Sequence, residues 1–128
     1  MSFLARACNS AWIVAAALVV SPVAAADLIM FEEPGCMWCA RWDRDVGDAY
    51  HMTAEGRRAP LLRRYIGDGA PEGVTLASSA RFTPTFVLVE GGREVGRIEG
   101  YPGEDFFWPM LGALLDRLPP EAGATTGG

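Results

Sequence analysis

The chain has 128 residues, half of them hydrophobic, and a formal net charge of −5. An acidic balance excludes nucleic acid as the partner, because phosphate binding needs a net basic surface. All eleven basic residues are arginine, so Schiff-base chemistry and a P-loop lysine are excluded as well.

Residues 1–26 read as a secretory signal peptide. Arg6 supplies the positive end, Ala11 to Val20 the apolar region, and Ala24-Ala25-Ala26 a small-residue cleavage site. The apolar run is short for a bilayer span and is broken by Pro22; an uncleaved membrane anchor is the alternative reading. Cys8 precedes the apolar region and so makes no lipoprotein signal, and a single arginine gives no support for a twin-Arg route. Cleavage before Asp27 removes 26 residues and leaves 102, one domain's worth, with the charge moved from −5 to −6. It also leaves two cysteines, an even number suited to an oxidising compartment.

The expected domain covers 27–118. Residues 27–31 read as a short buried strand, and Glu32-Glu33-Pro34-Gly35 as the turn into a helix. From Cys36 to about Tyr50 apolar residues recur at helical spacing, with Asp43, Arg44, Asp45 and Asp48 on the solvated face. Thr53 to Gly56 is turn-like, and Leu61 to Ile66 suits a second strand. Gly67 to Ala80 is rich in Gly, Pro, Ser and Ala and is expected to be irregular with one helical turn. Thr85 to Val89 is the clearest strand, and Gly91-Gly92 turns it into a hairpin with Glu94 to Ile98. Phe106, Phe107, Met110, Leu111, Leu114, Leu115 and Leu118 repeat at helical intervals. Pro109 belongs in a first turn, so the helix proper is expected to begin near Trp108. Residues 119–128 are small and polar and read as a disordered tail. Strand, helix, strand, hairpin and helix make an α/β sandwich. A right-handed crossover makes the first two strands parallel, and the hairpin makes the sheet mixed and four-stranded.

The chemistry lies in Cys36-Met37-Trp38-Cys39, a Cys-x-x-Cys at a strand-to-helix junction, the layout of a thiol–disulfide exchange site. At the start of a helix the Cys36 sulfur lies near unpaired N–H groups and the positive dipole end, which favour the nucleophilic thiolate. Cys39, one turn on, can resolve a mixed disulfide formed at Cys36. A loop this short makes a weak structural staple. No metal is expected, because zinc needs two further ligands and the mature chain offers one histidine and no other cysteine. The same thiols would also serve a redox-sensing binding module, a thiol oxidase or Cu(I) delivery. No cofactor is expected, since no NADPH or flavin site is visible, so electrons must come through another protein and a membrane electron relay. Trp38, between the cysteines, reads as a partner contact, and Trp42 and Trp108 as core. His51 is too far along the helix to pair with a thiol and reads as a surface or capping residue. Arg57, Arg58, Arg63 and Arg64 read as a solvated strand edge, with a docking patch as the alternative.

This order of parts, with Arg81-Phe82-Thr83-Pro84-Thr85-Phe86 ahead of the hairpin, resembles the thioredoxin family. The segments Pro34 to Trp42, Thr53 to Arg57, Phe82 to Phe86 and Gly96 to Gly103 together look like its SoxS-type branch, over nearly the whole mature chain. Those are periplasmic thioredoxins of bacterial sulfur-oxidation systems. The resemblance implies a thioredoxin-like sandwich and a periplasmic thiol–disulfide oxidoreductase acting on a protein disulfide, with the sulfur-carrying protein of the Sox system as partner. It also implies a cis peptide at Pro84, and substrate binding by Thr83 and Pro84. Two positions depart from ordinary thioredoxin. Gly35 stands where a Trp usually precedes the first cysteine, and Met30 replaces a buried acid, which leaves the base for Cys39 unassigned. Glu32 and Glu33, the nearest acids, read as solvated turn residues.

Overall fold

The computed structural model describes residues 15–18 and 25–120. Most of the expected signal peptide and all but the first two residues of the expected tail lie outside the described residues.

Four strands form one sheet in the order β2-β1-β3-β4. They are β1 (Ala26–Glu32), β2 (Leu61–Tyr65), β3 (Thr85–Glu90) and β4 (Arg93–Glu99). β1 runs parallel to β2 and antiparallel to β3, and β3 and β4 form the hairpin. This is the mixed four-stranded sheet flanked by helices that the sequence predicts. β1 and β3 are central strands, so both their faces are covered and both read as continuous apolar runs. Side chains alternate across a strand. Leu28, Met30, Phe86 and Leu88 therefore enter one core, while Ile29, Phe31, Val87 and Val89 enter another on the opposite face.

The first core lies under the helices. α1 (Met37–Trp42) runs through a π-helical segment, Asp43–Gly47, into α2 (Asp48–Tyr50). Trp42, Val46 and Tyr50, spaced four apart, are buried. Trp42 is the hub, its ring 5.2 Å from Phe86 and 5.8 Å from Phe107 between centroids. Aromatic pairs at these separations add about 0.5–1.5 kcal/mol beyond the area they bury. The buried Tyr50 hydroxyl donates to the Ala59 carbonyl at 2.7 Å, and burial pushes its pKa up.

Cys36 caps the start of α1. Two details differ from the sequence reading. Thr53 to Gly56, read as a turn, opens a short helix, α3 (Ala54–Arg58), with the Thr53 hydroxyl accepting from the Gly56 N–H at 2.9 Å. Only glycine fits at 56, because a Cβ there would lie 1.8 Å from the Tyr50 carbonyl oxygen. The last helix, α4 (Glu104–Leu115), begins well before Trp108 and carries Pro109 inside it. Proline there forfeits one helical bond, but Asp105 and Pro109 are both exposed, so the carbonyl left over is open to water. Phe107 and Leu111 anchor the helix in the core, while Phe106 and Met110 of the same apolar repeat face outward.

Irregular chain covers the second core. After a 3₁₀ turn, Ile66–Asp68, the segment contributes Ile66, Val74, Leu76 and Ala80.

Candidate active site

β1 delivers the chain to Glu32, and Gly35 turns it into α1 with φ +79°. A side chain is strained in that left-handed conformation, which explains glycine where the resemblance led us to expect tryptophan. Cys36 and Cys39 are joined by a disulfide with their Cα atoms 5.3 Å apart. The two sulfurs are not equivalent. Cys36 is partly exposed, whereas Cys39 is only 5% exposed and packs in the helical core. The Cys39 N–H donates to the Cys36 sulfur at 3.1 Å. With the disulfide open, the same N–H and the helix start stabilise negative charge on Cys36.

An open cleft of about 720 Å³ lies beside the cysteines. Its wall includes Glu32, Glu33, Met37, Asp43 and Tyr65 as well as both thiols. Met37 is 72% exposed and Tyr65 lies opposite Glu32 in the β1–β2 register; the sequence reading assigned neither to the site. The register was the signal that could have found Tyr65, and it exists only once the strands are paired.

Glu32 closes β1 and is half-buried, and Glu33 is exposed in the turn, but both carboxylates have hydrogen-bond partners. Arg63 donates to Glu32 at 2.7 Å and also to Asp43, and its guanidinium lies 6.0 Å from the Trp42 ring centroid. The hydrogen bond to Asp43, ahead of the charge of Glu32, raises the Arg63 pKa. Glu33 accepts from the Thr83 hydroxyl at 2.8 Å. Met30, where the resemblance leads to a buried acid, is fully buried and apolar, and lies opposite Arg63 in the register.

The Thr83-Pro84 peptide is cis. The Pro84 carbonyl accepts from the Gly100 N–H at 2.7 Å, and the Thr85 hydroxyl donates to the Phe82 carbonyl at 2.7 Å. Among the described residues, neither the N–H nor the C=O of Thr83 has a hydrogen-bond partner. Trp38 is 48% exposed, with the Arg41 guanidinium 5.6 Å from its ring centroid, and it lies outside the cleft wall.

The other sequence candidates stay apart from the thiols. His51 is exposed at the end of α2. Of the four clustered arginines only Arg63 reaches residues of the cleft wall; Arg57 and Arg58 donate to the carbonyls of Met52 and Pro119, and Arg64 to those of Asp68 and Gly69. Tyr101, whose hydroxyl donates to Asp45 at 3.0 Å, has its pKa pushed up to about 12, first by burial and then by that bond. Among the described residues no group of three or more His, Cys, Asp or Glu could hold a metal ion, and no helix is long and apolar enough to cross a membrane.

A strand-led Cys-x-x-Cys helix and a cis-proline loop on a mixed sheet define a thioredoxin-like thiol–disulfide oxidoreductase. The comparisons agree. The crystal structure of the periplasmic thioredoxin SoxS from Paracoccus pantotrophus, in its reduced form, matches with 54% sequence identity and a TM-score of 0.70. The match covers 72% of this chain and 97% of that one. This chain belongs to the thioredoxin family and, within it, to the SoxS-type thioredoxins. No family profile and no curated protein matches it.

Proposed function

We propose that this protein is exported to the periplasm, loses residues 1–26, and there reduces a disulfide on a protein of a sulfur-oxidation system. Cys36 is the attacking thiol and Cys39 the resolving thiol. The observation that carries this assignment is the unequal exposure of the two sulfurs, together with the N–H directed at Cys36. A nucleophile must be reached by its partner; a resolving thiol must not be. The Cys36 thiolate attacks one sulfur of the partner's disulfide, that bond breaks, and the first partner thiolate leaves. Cys39 then loses its proton and attacks the Cys36 sulfur. The second partner thiol is released and the Cys36–Cys39 disulfide remains, two electrons having passed to the partner. A membrane electron relay reopens it.

Substrate is held by Thr83 and Pro84, with the exposed Trp38 as a further contact. The unpaired Thr83 backbone supports strand-like pairing with an extended segment. The periplasmic location is supported by the SoxS relative, itself a periplasmic thioredoxin, and by the signal-like residues 1–26; the sulfur-carrying Sox protein as partner follows from the resemblance to SoxS-type thioredoxins.

Trapping tests this reading. Cys39→Ser should accumulate a mixed disulfide with the sulfur-carrying protein in a periplasmic extract. Cys36→Ser should trap nothing, and its reduction of insulin should fall to background. Trapping by Cys36→Ser alone would reverse the two roles.

A further inference from the structure

Glu33 and Thr83 are 50 residues apart in the chain, yet the Thr83 hydroxyl donates to Glu33 Oε1 at 2.8 Å. Glu33 stands in the turn between β1 and Cys36 and lines the cleft with both cysteines. Thr83 stands immediately before cis Pro84. The contact therefore ties the loop that carries the nucleophile to the loop whose backbone is unpaired. The remaining bonds of the proline loop run elsewhere: Pro84 to Gly100 at the end of β4, and Thr85 back to Phe82. Among the described residues, the Thr83–Glu33 bond is the hydrogen bond that joins residues 81–84 to the cysteine-bearing turn.

Thiol–disulfide exchange demands that the substrate sulfur approach the attacking sulfur in line, and a misplacement of about 1 Å can cost on the order of 10²-fold in rate. A substrate paired to Thr83 inherits whatever freedom Thr83 has relative to Cys36. We propose that Glu33 is a positioning residue for the exchange reaction: through the Thr83 hydroxyl it sets where the substrate-pairing backbone stands relative to the Cys36 sulfur. This inference rests on Thr83 pairing with substrate as described above. In this role Glu33 acts through its acceptor oxygen on the Thr83 hydroxyl.

The test mixes pre-reduced protein with excess disulfide and follows its oxidation. One substrate is an extended peptide carrying a disulfide. The other is bis(2-hydroxyethyl) disulfide, which is neutral and has no backbone to pair. Thr83→Val and Glu33→Ala should each raise the half-saturating peptide concentration about 3- to 10-fold, the range one hydrogen bond is worth. The small disulfide, with no backbone to pair, should lose less than the peptide does in both variants. The double variant should be no worse than either single one, because both remove the same contact. Glu33→Gln and Thr83→Ser keep acceptor and donor and should restore peptide half-saturation. Multiplying effects in the double variant, equal slowing of both substrates, or unchanged half-saturation would each overturn the proposal. The Cys39→Ser trap with the same peptide separates the two readings. An intact trap with flat half-saturation removes only the tie, whereas loss of the trap removes the exchange assignment itself.

Discussion

On one face of the sheet Leu28, Met30, Phe86 and Leu88 meet helices whose aromatic residues interlock around Trp42. On the other, Ile29, Phe31, Val87 and Val89 meet irregular chain that contributes only partly buried side chains. That second cover is held from its edges. Arg64 donates to the carbonyls of Asp68 and Gly69, and Arg97 to that of Ser78. Glu94 accepts from the Ala77 N–H at 2.6 Å, and Thr75 bridges to β4 at Arg93. Burial of large apolar surface stabilises the first face, and polar ties to backbone organise the second. The thiols sit on the face with the interlocked core, where side-chain packing fixes the helix that presents them.

The sharpest way to break this contrast is to remove one aromatic residue from the helical face. Phe107 is fully buried and touches Trp42, Phe86, Tyr101 and Trp108. Phe107→Ala should cost about 3–5 kcal/mol of unfolding free energy in a denaturant titration. A loss under about 1 kcal/mol would mean that this core does not carry the fold.

Next in size is the ion pair on the second face. The Arg97 hydrogen bond, first among the causes, holds the Glu94 carboxyl below its ordinary value of 4.5. A depressed carboxylate contributes stability that is present above the unfolded pKa and lost as pH falls through the folded one. Glu94→Ala should cost about 1.5–3 kcal/mol at neutral pH, and should flatten the loss of stability below pH 4.5. An unchanged acid slope would assign that loss to other carboxylates.

Leu76→Ala, in the irregular cover, should cost about 1–2 kcal/mol, less than a core leucine because Leu76 is only half-buried. It should leave disulfide exchange at the wild-type rate wherever the protein is folded. A slowed exchange would couple the two faces. Smallest of all, Arg64→Ala should change global stability by under about 0.5 kcal/mol. It should nonetheless speed amide hydrogen exchange in residues 67–76, where the carbonyls it holds are released.

Much of this was legible in the sequence because it is local. Continuous apolar runs marked β1 and β3, helical spacing marked the path from Cys36 to Tyr50, and Gly91-Gly92 marked the hairpin with β4. Cys-x-x-Cys announced exchange chemistry through the spacing of two residues on one helix. Where reading failed, a local rule met a longer-range force. Pro109 argued for a late helix start, but burial of Phe107 and Leu111 carried the helix back to Glu104. Thr53 to Gly56 looked like a turn because glycine is a poor helix former, yet close approach to Tyr50 demands glycine inside α3.

The sequence by itself determined the four strands, the cysteine-bearing helix and the pairing of two sulfurs one turn apart, since periodicity and covalent spacing are properties of neighbouring residues. Only the tertiary structure decided which sulfur is exposed, that Arg63 takes Glu32 and Asp43 together, and that Glu33 meets Thr83 across 50 residues. Those pairings depend on strand register and on how loops close over the sheet, and contacts between distant residues are chosen only when the chain packs.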